Sequence, residues 1–140
     1  MPNVTLSMPL PVSAKQVWDL IGGFNALPNW HPIVERSEVE EDKPNRTTTR
    51  KLHLAGGGTV VERLTEQDDD KKVYSYEILE SPLPVKGYKA TIRVRESENG
   101  SEVEWSSDFE AEGASNDDAV KVIQDIYNTG FQNLRKIFGG

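Results

Sequence analysis

The sequence contains no cysteine, and this absence excludes disulfide bonds, thiol chemistry and thiolate metal sites. Histidine is scarce, and neither of the two histidines has the spaced partners of a metal-binding set. No apolar run approaches the roughly 20 residues of a membrane-spanning helix. The N-terminus also lacks the basic and apolar regions of a signal peptide. We therefore expect a cytoplasmic protein with no metal and no other cofactor.

Positively charged residues are fewer than negatively charged ones. The chain has 16 lysines and arginines and 23 aspartates and glutamates, which give a net charge of -7. This excess of negative charge disfavours binding to nucleic acid or to anionic membranes. The acidic run at residues 68–70 lacks the later glycine and glutamate of a calcium loop, so it predicts a solvated turn. The length of 140 residues and the 36% hydrophobic content are typical of one globular domain, residues 1–140. Nothing in the pattern predicts the oligomeric state.

The longest regular pattern predicts an amphipathic helix over residues 115–138. Its apolar residues recur with a 3.6-residue period, which indicates one broad buried face. Acidic residues in the first turn and basic residues in the last suit the helix dipole. The apolar positions are Ala119, Val120, Ile123, Ile126, Tyr127, Phe131, Leu134, Ile137 and Phe138.

Before this helix, the periodicity predicts a first strand at residues 3–10, a short helix at 13–22 and a second turn or short helix at 24–32. Six further strands follow, at residues 33–41, 46–54, 59–65, 73–79, 88–96 and 103–110. Short connections, including a two-residue hairpin turn at Asn99-Gly100, make neighbouring strands antiparallel. The prediction is an α+β fold, in which a curved seven-stranded antiparallel sheet wraps around the C-terminal helix and two short helices lie between strands 1 and 2.

Several local sequences strengthen this prediction by their order and spacing. They are SAKQVWDLIG at 13–22, LPNWHP at 27–32, VERL at 61–64, YSY at 74–76, PVKGY at 84–88, WSSDF at 105–109 and GFQNL at 130–134. Together they resemble the START-like or SRPBCC superfamily, which has the helix-grip fold. The resemblance spans nearly the whole chain and is strongest to bacterial polyketide cyclase/dehydrase-like proteins. The plant abscisic-acid receptors and the birch-pollen allergen group are more distantly similar.

The resemblance implies an apolar pocket between the concave face of the sheet and the long helix, covered by two loops. The gate loop would be residues 54–58 and the latch loop residues 81–85. Their mobile positions would be Gly56, Gly57, Gly58, Pro82 and Pro84. The ligand-pairing lysine of the abscisic-acid receptors aligns near Trp30, so binding of abscisic acid is not supported. The glutamate of the receptor pocket matches Glu62.

Glu62 and His31 are the two candidates for acid–base chemistry. Strand alternation groups Glu62 with Val60 and Leu64, and burial on that face would raise its pKa and suit it to proton transfer or to binding a ligand hydroxyl. The alternative is a solvent-facing glutamate. His31 could act as a general acid or base, but we favour a role in fixing its turn by hydrogen bonds to the backbone.

Aromatic residues from separate elements would converge on the pocket, where tyrosine hydroxyls would orient a ligand. On the long helix, we expect Leu134, Ile137 and Phe138 to pack in the core, and Gly130 to give room beside the pocket. The alternative is that the aromatic side chains fill the core and leave no cavity. The predicted ligand-binding residues are Trp30, Val60, Glu62, Tyr76, Ile78, Leu83, Val85, Tyr88, Trp105, Phe109, Ile123, Tyr127 and Phe131.

Three functions follow from these interpretations. The first is binding of a small hydrophobic ligand that is aromatic, polyketide-like or lipid-like. The second is an enzyme of the polyketide cyclase, dehydratase or aromatase type, with Glu62 and His31 as acid–base groups. The third is an interaction or stress-response module without a ligand, which a completely filled core would favour.

Overall fold

The structure is a computed structural model that describes residues 2–139. Its seven strands are β1 Asn3–Leu10, β2 Val34–Asp42, β3 Thr47–Leu54, β4 Thr59–Asp68, β5 Val73–Glu80, β6 Val85–Ser97 and β7 Gly100–Ala111. Its two α-helices are α1 Ala14–Ile21 and α2 Asn116–Phe138. The α+β class and the helix-grip arrangement predicted from the sequence are confirmed.

All seven strands form one sheet in the order β1-β7-β6-β5-β4-β3-β2, and every neighbouring pair is antiparallel. Register shifts interrupt the pairing of β2 with β3, of β4 with β5 and of β6 with β7. Such bulges increase the local twist and bend a strand. The sheet can therefore curve around α2 rather than lie flat beside it.

Helix α2 is capped by Ser115, whose side-chain hydroxyl accepts a hydrogen bond from the amide of Asp118 at 3.1 Å. This N-cap satisfies one of the free amides of the first turn. One face of the helix is buried against the sheet, as the 3.6-residue period predicts. The buried residues are Ala119, Ile123, Tyr127, Gly130, Phe131 and Leu134.

Helix α1 is fixed by a capping box, in which Ser13 bonds the amide of Gln16 and the Gln16 side chain returns to the Ser13 amide. Its buried face includes Val17, Trp18 and Ile21. Within residues 2–139, no helix is long and apolar enough to cross a membrane.

Three details differ from the sequence-based expectation. The second short helix is only a single 3-10 turn, Leu27–Asn29. Ile137 is 46% exposed rather than in the core, because the partly buried Phe138, four residues after Leu134, takes the inward position at the end of α2. The hairpin between β6 and β7 turns one residue earlier than predicted, since Ser97 pairs directly with Gly100.

Gly100 is required for a different reason than the turn. Its φ angle is 146°, and a Cβ atom there would lie 2.2 Å from the carbonyl oxygen of Leu10. A contact this short is impossible for a real side chain, so any other residue would push β7 away from the end of β1. The Asn99-Gly100 signal therefore reflects strand packing rather than hairpin geometry.

Candidate functional site

A partly enclosed cavity of about 110 Å³ lies between the concave face of the sheet and α2. This volume equals three to four water molecules at about 30 Å³ each, and it approaches the roughly 150 Å³ of an engineered apolar cavity that binds benzene. Its wall is lined by Leu27, His31, Ile33, Val34, Leu52, Leu54, Val60, Glu62, Tyr76, Ile78, Leu83, Tyr88, Trp105, Ile123, Ile126 and Tyr127. The alternative of a completely filled core is therefore wrong.

Strand and helix periodicity explain how these side chains reach the cavity. In β4, Val60 and Glu62 are two residues apart and point to the same face. In α2, Ile123, Ile126 and Tyr127 are spaced by three and four residues, which places them together on one helix face. Tyr127 stacks on Trp105 of β7, with ring centroids 4.0 Å apart and an angle of 15° between the planes. The two rings form one rigid wall.

Nine of the thirteen predicted ligand-binding residues lie in the wall, namely Val60, Glu62, Tyr76, Ile78, Leu83, Tyr88, Trp105, Ile123 and Tyr127. Their role in binding a ligand stays a prediction. The other four, Trp30, Val85, Phe109 and Phe131, lie outside the wall. Trp30 and Phe131 pack against Trp105, at centroid distances of 5.6 and 6.3 Å. Phe109 stacks on Tyr88, and Val85 begins β6 by pairing with Ala111.

Arg50 is the most important residue that the sequence-based prediction missed. Its side chain is fully buried, and it lies directly opposite Glu62 in the pairing of β3 with β4. The signal was present, because Arg50 alternates with Leu52 and Leu54 on the inward face of its strand. The prediction also missed wall positions contributed by the turn after α1, by the start of β2, by β3 and by α2. These are Leu27, Ile33, Val34, Leu52, Leu54 and Ile126.

Arg50 and Glu62 form a buried ion pair at the edge of the cavity. Nε of Arg50 donates a hydrogen bond to Oε1 of Glu62 at 2.7 Å, and Nη2 lies 2.7 Å from the same oxygen. Nη1 donates to the carbonyl oxygen of Phe24 at 2.8 Å. The guanidinium also lies over the ring of Phe24, 4.2 Å from its centroid, and 5.0 Å from the centroid of Tyr76. The charge of Arg50 is thus held by a carboxylate, a carbonyl and aromatic faces.

The electrostatics of this pair bear directly on any role of Glu62 as an acid or base. Burial raises the pKa of Glu62 above its usual range, and the adjacent charge of Arg50 opposes the rise. Burial disfavours the charged form of Arg50, but Glu62 and the neighbouring tyrosines outweigh it and raise the pKa of Arg50. Since the arginine stays charged, a neutral Glu62 would leave a buried cation unpaired. Near pH 7, Glu62 therefore serves as a hydrogen-bond acceptor in the cavity wall.

His31 is buried, and both of its ring nitrogens are occupied. Nε2 donates to the carbonyl oxygen of Ile126 at 2.8 Å, and Nδ1 accepts from the amide of Ile33 at 3.2 Å. Burial lowers the pKa of His31, although the bond to Ile126 opposes the shift. The ring is therefore neutral at pH 7 and ties the turn after α1 to α2. The interpretation of His31 as a residue that fixes its turn matches this geometry, and no nitrogen remains for proton transfer to a ligand.

Gly130 of α2 allows the turn that carries His31 to approach the helix. A Cβ atom at this position would lie 2.8 Å from Cδ2 of His31 and 2.9 Å from the Trp30 ring. Asn133, one turn later, donates to the carbonyl oxygen of Trp30 at 2.8 Å. Gly130 therefore gives room to His31, a wall residue, and to Trp30 behind the wall, rather than to the cavity itself.

Three tyrosine hydroxyls form a cluster in the wall. The hydroxyls of Tyr88 and Tyr127 are in direct contact, and the hydroxyl of Tyr76 lies 3.4 Å from that of Tyr88. Nε1 of Trp105 donates to the Tyr76 hydroxyl at 3.1 Å. Burial raises the pKa of all three tyrosines, so each hydroxyl keeps its proton. Below, these three hydroxyls are called the tyrosine cluster.

The gate and latch loops lie close together at the edge of the cavity. All three gate-loop glycines, Gly56 to Gly58, have positive φ angles between 86° and 101°. A Cβ atom on Gly58 would lie 3.7 Å from Cγ of Pro82, so the two loops lie close to each other. Leu54 and Leu83 reach from these loops into the wall. Mobility of the loops stays a prediction from the resemblance.

Within residues 2–139, no group of three or more histidine, aspartate or glutamate side chains could hold a metal ion. The polar groups of the site are Glu62, with Arg50 behind it, and the tyrosine cluster. Glu62 offers an acceptor and the tyrosines offer donors. The remaining wall is apolar except for His31, whose two ring nitrogens are bonded within the protein.

Comparison with known proteins places this geometry in a family. The structure superposes on an uncharacterized protein from Bacillus thuringiensis, with 38% identity, coverage of 98% of both chains and a TM-score of 0.91. It shares its fold with the Zhui aromatase/cyclase from Streptomyces sp. R1128, at 16% identity, coverage of 97% of this chain and 95% of that chain, and a TM-score of 0.72. A START superfamily protein from Mycobacterium smegmatis matches at 10% identity, coverage of 97% and 96%, and a TM-score of 0.79.

No match to a curated protein sequence was found. A sequence profile of the family described as "polyketide cyclase / dehydrase and lipid transport" matches residues 1–139. This match covers nearly all of the 140 residues. The chain therefore belongs to the polyketide cyclase/dehydrase and lipid transport family and has the helix-grip fold.

Proposed function

We propose that the protein binds a small, mainly apolar molecule in the cavity between the sheet and α2. The observation that carries this proposal is a cavity with an almost wholly apolar wall inside an otherwise packed core. Ligand sites are typically apolar clefts with a few convergent polar groups. Here those groups are Glu62 and the tyrosine cluster, which would orient the molecule after burial of its apolar surface has supplied most of the binding free energy.

The size of the cavity limits the ligand. A volume of about 110 Å³ is close to the volume of a molecule with one six-membered ring, and it is well below the roughly 300 Å³ of the smallest drug-sized pockets. A polycyclic, polyketide-like or lipid-like molecule would fit only after the gate and latch loops move apart. The proposed ligand is thus a single ring or a short chain in the observed state, and a larger molecule would require displacement of Leu54 and Leu83.

A thermal-shift titration with toluene tests this proposal. Toluene at 100 times its dissociation constant should stabilise the protein by about 2.7 kcal/mol, and this corresponds to a rise in melting temperature of roughly 9 °C for a chain of this length. Val60→Phe should fill the cavity and abolish the shift. Thr65→Phe, an exposed position on the same strand, is the matched control and should keep it. No shift in the unmodified protein, or equal shifts in both variants, would refute the proposal.

An enzyme of the cyclase or dehydratase type is the second candidate, because Glu62 places a carboxylate in the wall of a cavity in a family whose description includes cyclases and dehydrases. Glu62→Gln should then abolish turnover and spare ligand affinity. Loss of both together would favour binding alone. His31 has no part in this candidate, since both of its nitrogens are bonded within the protein.

The cavity argues against the third candidate, a module without a ligand, for which a filled core was the expected sign. A cytoplasmic location and the lack of nucleic-acid partners stay predictions from composition, and the oligomeric state stays open.

A further inference from the structure

We propose that the ligand site has a second part, a groove in the sheet where β5 and β6 separate. The bound molecule would place an apolar ring in the cavity and, through a short chain, a hydrogen-bond donor such as a hydroxyl in this groove. This inference rests on the proposed binding function, because it names the class of molecule that occupies the same cavity.

Strands β5 and β6 separate below the latch loop. Their aligned pairing runs from Val73 and Arg93 to Glu77 and Lys89. Beyond that point the end of β5 stays paired with β4, and the start of β6 stays paired with β7. The latch loop joins these two diverging ends, so a gap opens in the sheet beneath it.

A bulge in each strand explains why the pairing stops there. On β5, Leu79 is the extra residue between Ile78 and Glu80, which pair with consecutive residues of β4. On β6, Gly87 and Tyr88 lie against a single residue of β7, and Gly87 has a φ angle of 61°. A glycine in the left-handed region is typical of one class of bulge, and bulges bend a strand. Leu79 and Gly87 would lie opposite each other if the pairing continued, so both strands bend at the same level.

The gap forms a surface groove of about 520 Å³ that lies next to the cavity. Ile78 and Tyr88 border both spaces, so only one layer of residues separates them. Tyr88 is fully buried and belongs to the tyrosine cluster, whereas Ile78 is aliphatic and only half-buried. We therefore expect rotation of the Ile78 side chain to join the groove to the cavity.

The two spaces differ in chemistry, and the difference indicates how a molecule would lie across them. The cavity wall is mainly apolar, and its volume suits a single ring. The groove is bordered by the exposed carboxylates of Glu80 and Glu112 and by Lys86, whose Nζ lies 3.6 Å from a carboxylate oxygen of Glu110. Carboxylates accept hydrogen bonds, and the one lysine already has a partner. The groove therefore favours a donor over an anion.

Three probes with the same ring test the inference by calorimetric titration: toluene, 4-phenylbutan-1-ol and 4-phenylbutanoate. The alcohol should bind at least about 10-fold more tightly than toluene, because each buried methylene contributes about fourfold. The carboxylate should bind about 2- to 10-fold more weakly than the alcohol, since it meets two exposed carboxylates. If toluene does not bind, the proposed function fails and the inference fails with it. If toluene binds and the alcohol binds no more tightly, the inference fails while the binding function stands.

Isotope-filtered NOE measurements locate the chain of the bound alcohol. The methylene next to its hydroxyl should give NOEs to the methyl groups of Val85, a predicted ligand-binding residue that borders the groove and lies outside the cavity wall. Thr59 borders a different surface groove on the side of the gate loop and is the comparison. Absence of NOEs to Val85, with or without NOEs to Thr59, would overturn the inference.

A reversal of charge assigns the end-group preference to the groove. In Glu80→Lys/Glu112→Lys, the carboxylate should bind more tightly than the alcohol, and a thermal melt verifies that the variant is folded. Glu66→Lys/Glu98→Lys changes the net charge equally at exposed positions outside the groove and should keep the original order. An unchanged order in the groove variant, or the same reversal in the control, would contradict the assignment.

Discussion

Replacing Glu62 with leucine should destabilise the protein strongly, because it removes one partner of an ion pair in which both side chains are buried. The side chains of Arg50 and Glu62 are 0% and 7% exposed. Breaking such a pair from one side costs about 3–5 kcal/mol, since the remaining charge stays buried without a partner. For a chain of this length, the loss corresponds to a fall in melting temperature of roughly 10–17 °C.

The double variant Arg50→Met/Glu62→Leu should recover most of this loss. Replacing both partners by apolar residues removes the unpaired charge, and buried pairs exchanged in this way are often neutral or stabilising by about 1–4 kcal/mol. Two contacts limit the gain here, because Arg50 also donates to the carbonyl oxygen of Phe24 and lies over its ring. A desolvated cation–π contact contributes up to about 2 kcal/mol. We therefore expect the free energy of unfolding of the double variant to lie within about 1–2 kcal/mol of that of the parent protein.

Urea unfolding, followed by circular dichroism and tryptophan fluorescence, measures these free energies. The single variant Arg50→Met adds a pH signature. Without Arg50, burial alone raises the pKa of Glu62 above its ordinary value of 4.5, so the folded state holds a proton that the unfolded state has released. The stability of this variant should fall as the pH rises through that window. A loss below 1 kcal/mol for Glu62→Leu, or a double variant as unstable as the sum of the singles, would refute the reasoning.

Three further predictions concern the elements around the cavity. Gly130→Ala should destabilise the protein by about 1–2 kcal/mol, because overpacking against Trp30 and His31 outweighs the gain in helix propensity. Asn128→Ala, at an exposed position of the same helix, is the control and should not lower the free energy of urea unfolding. Burial lowers the pKa of His31 below its ordinary value of 6.5, so between these two pKa values the unfolded state binds more protons than the folded state. The free energy of unfolding should therefore rise with pH in this window, by at most about 1.4 kcal/mol per pH unit. His31→Gln should flatten this slope in thermal melts from pH 5 to 7. Tyr127→Ala should enlarge the cavity and lower the stability of the protein by about 3–5 kcal/mol. A single-ring ligand should restore part of this stability in a thermal-shift assay. If no stability is recovered, Tyr127 is not a wall residue.

Periodicity was sufficient to predict the main elements of the fold. The alternation in β4 grouped Glu62 with Val60 and Leu64 on one face, the resemblance assigned Glu62 to the pocket, and the 3.6-residue period predicted the buried face of α2. These are local properties of the backbone. The one-residue error at Asn99-Gly100 arose because a close contact with β1, which is distant in sequence, requires the glycine.

The cavity wall could be predicted only in part, because its limits depend on tertiary packing. Phe131 and Ile126 lie on the same helix and both appear in its apolar pattern, but only Ile126 borders the empty volume. The rotation of α2 against the sheet and the position of Trp105 decide between them. Arg50 was missed because its partner, Glu62, becomes visible only when β3 and β4 are aligned residue by residue.

The most direct test of ligand binding in this cavity is a methyl NMR titration of the protein with toluene. A ring bound between the sheet and α2 should shift the methyl resonances of Ile123 and Ile126, which line the wall, through its ring current. The methyl resonances of Val94, which is buried in the core outside the wall, should stay unchanged. Saturable shifts confined to the wall are the predicted result. Absence of any shift, or equal shifts at Val94, would contradict the account.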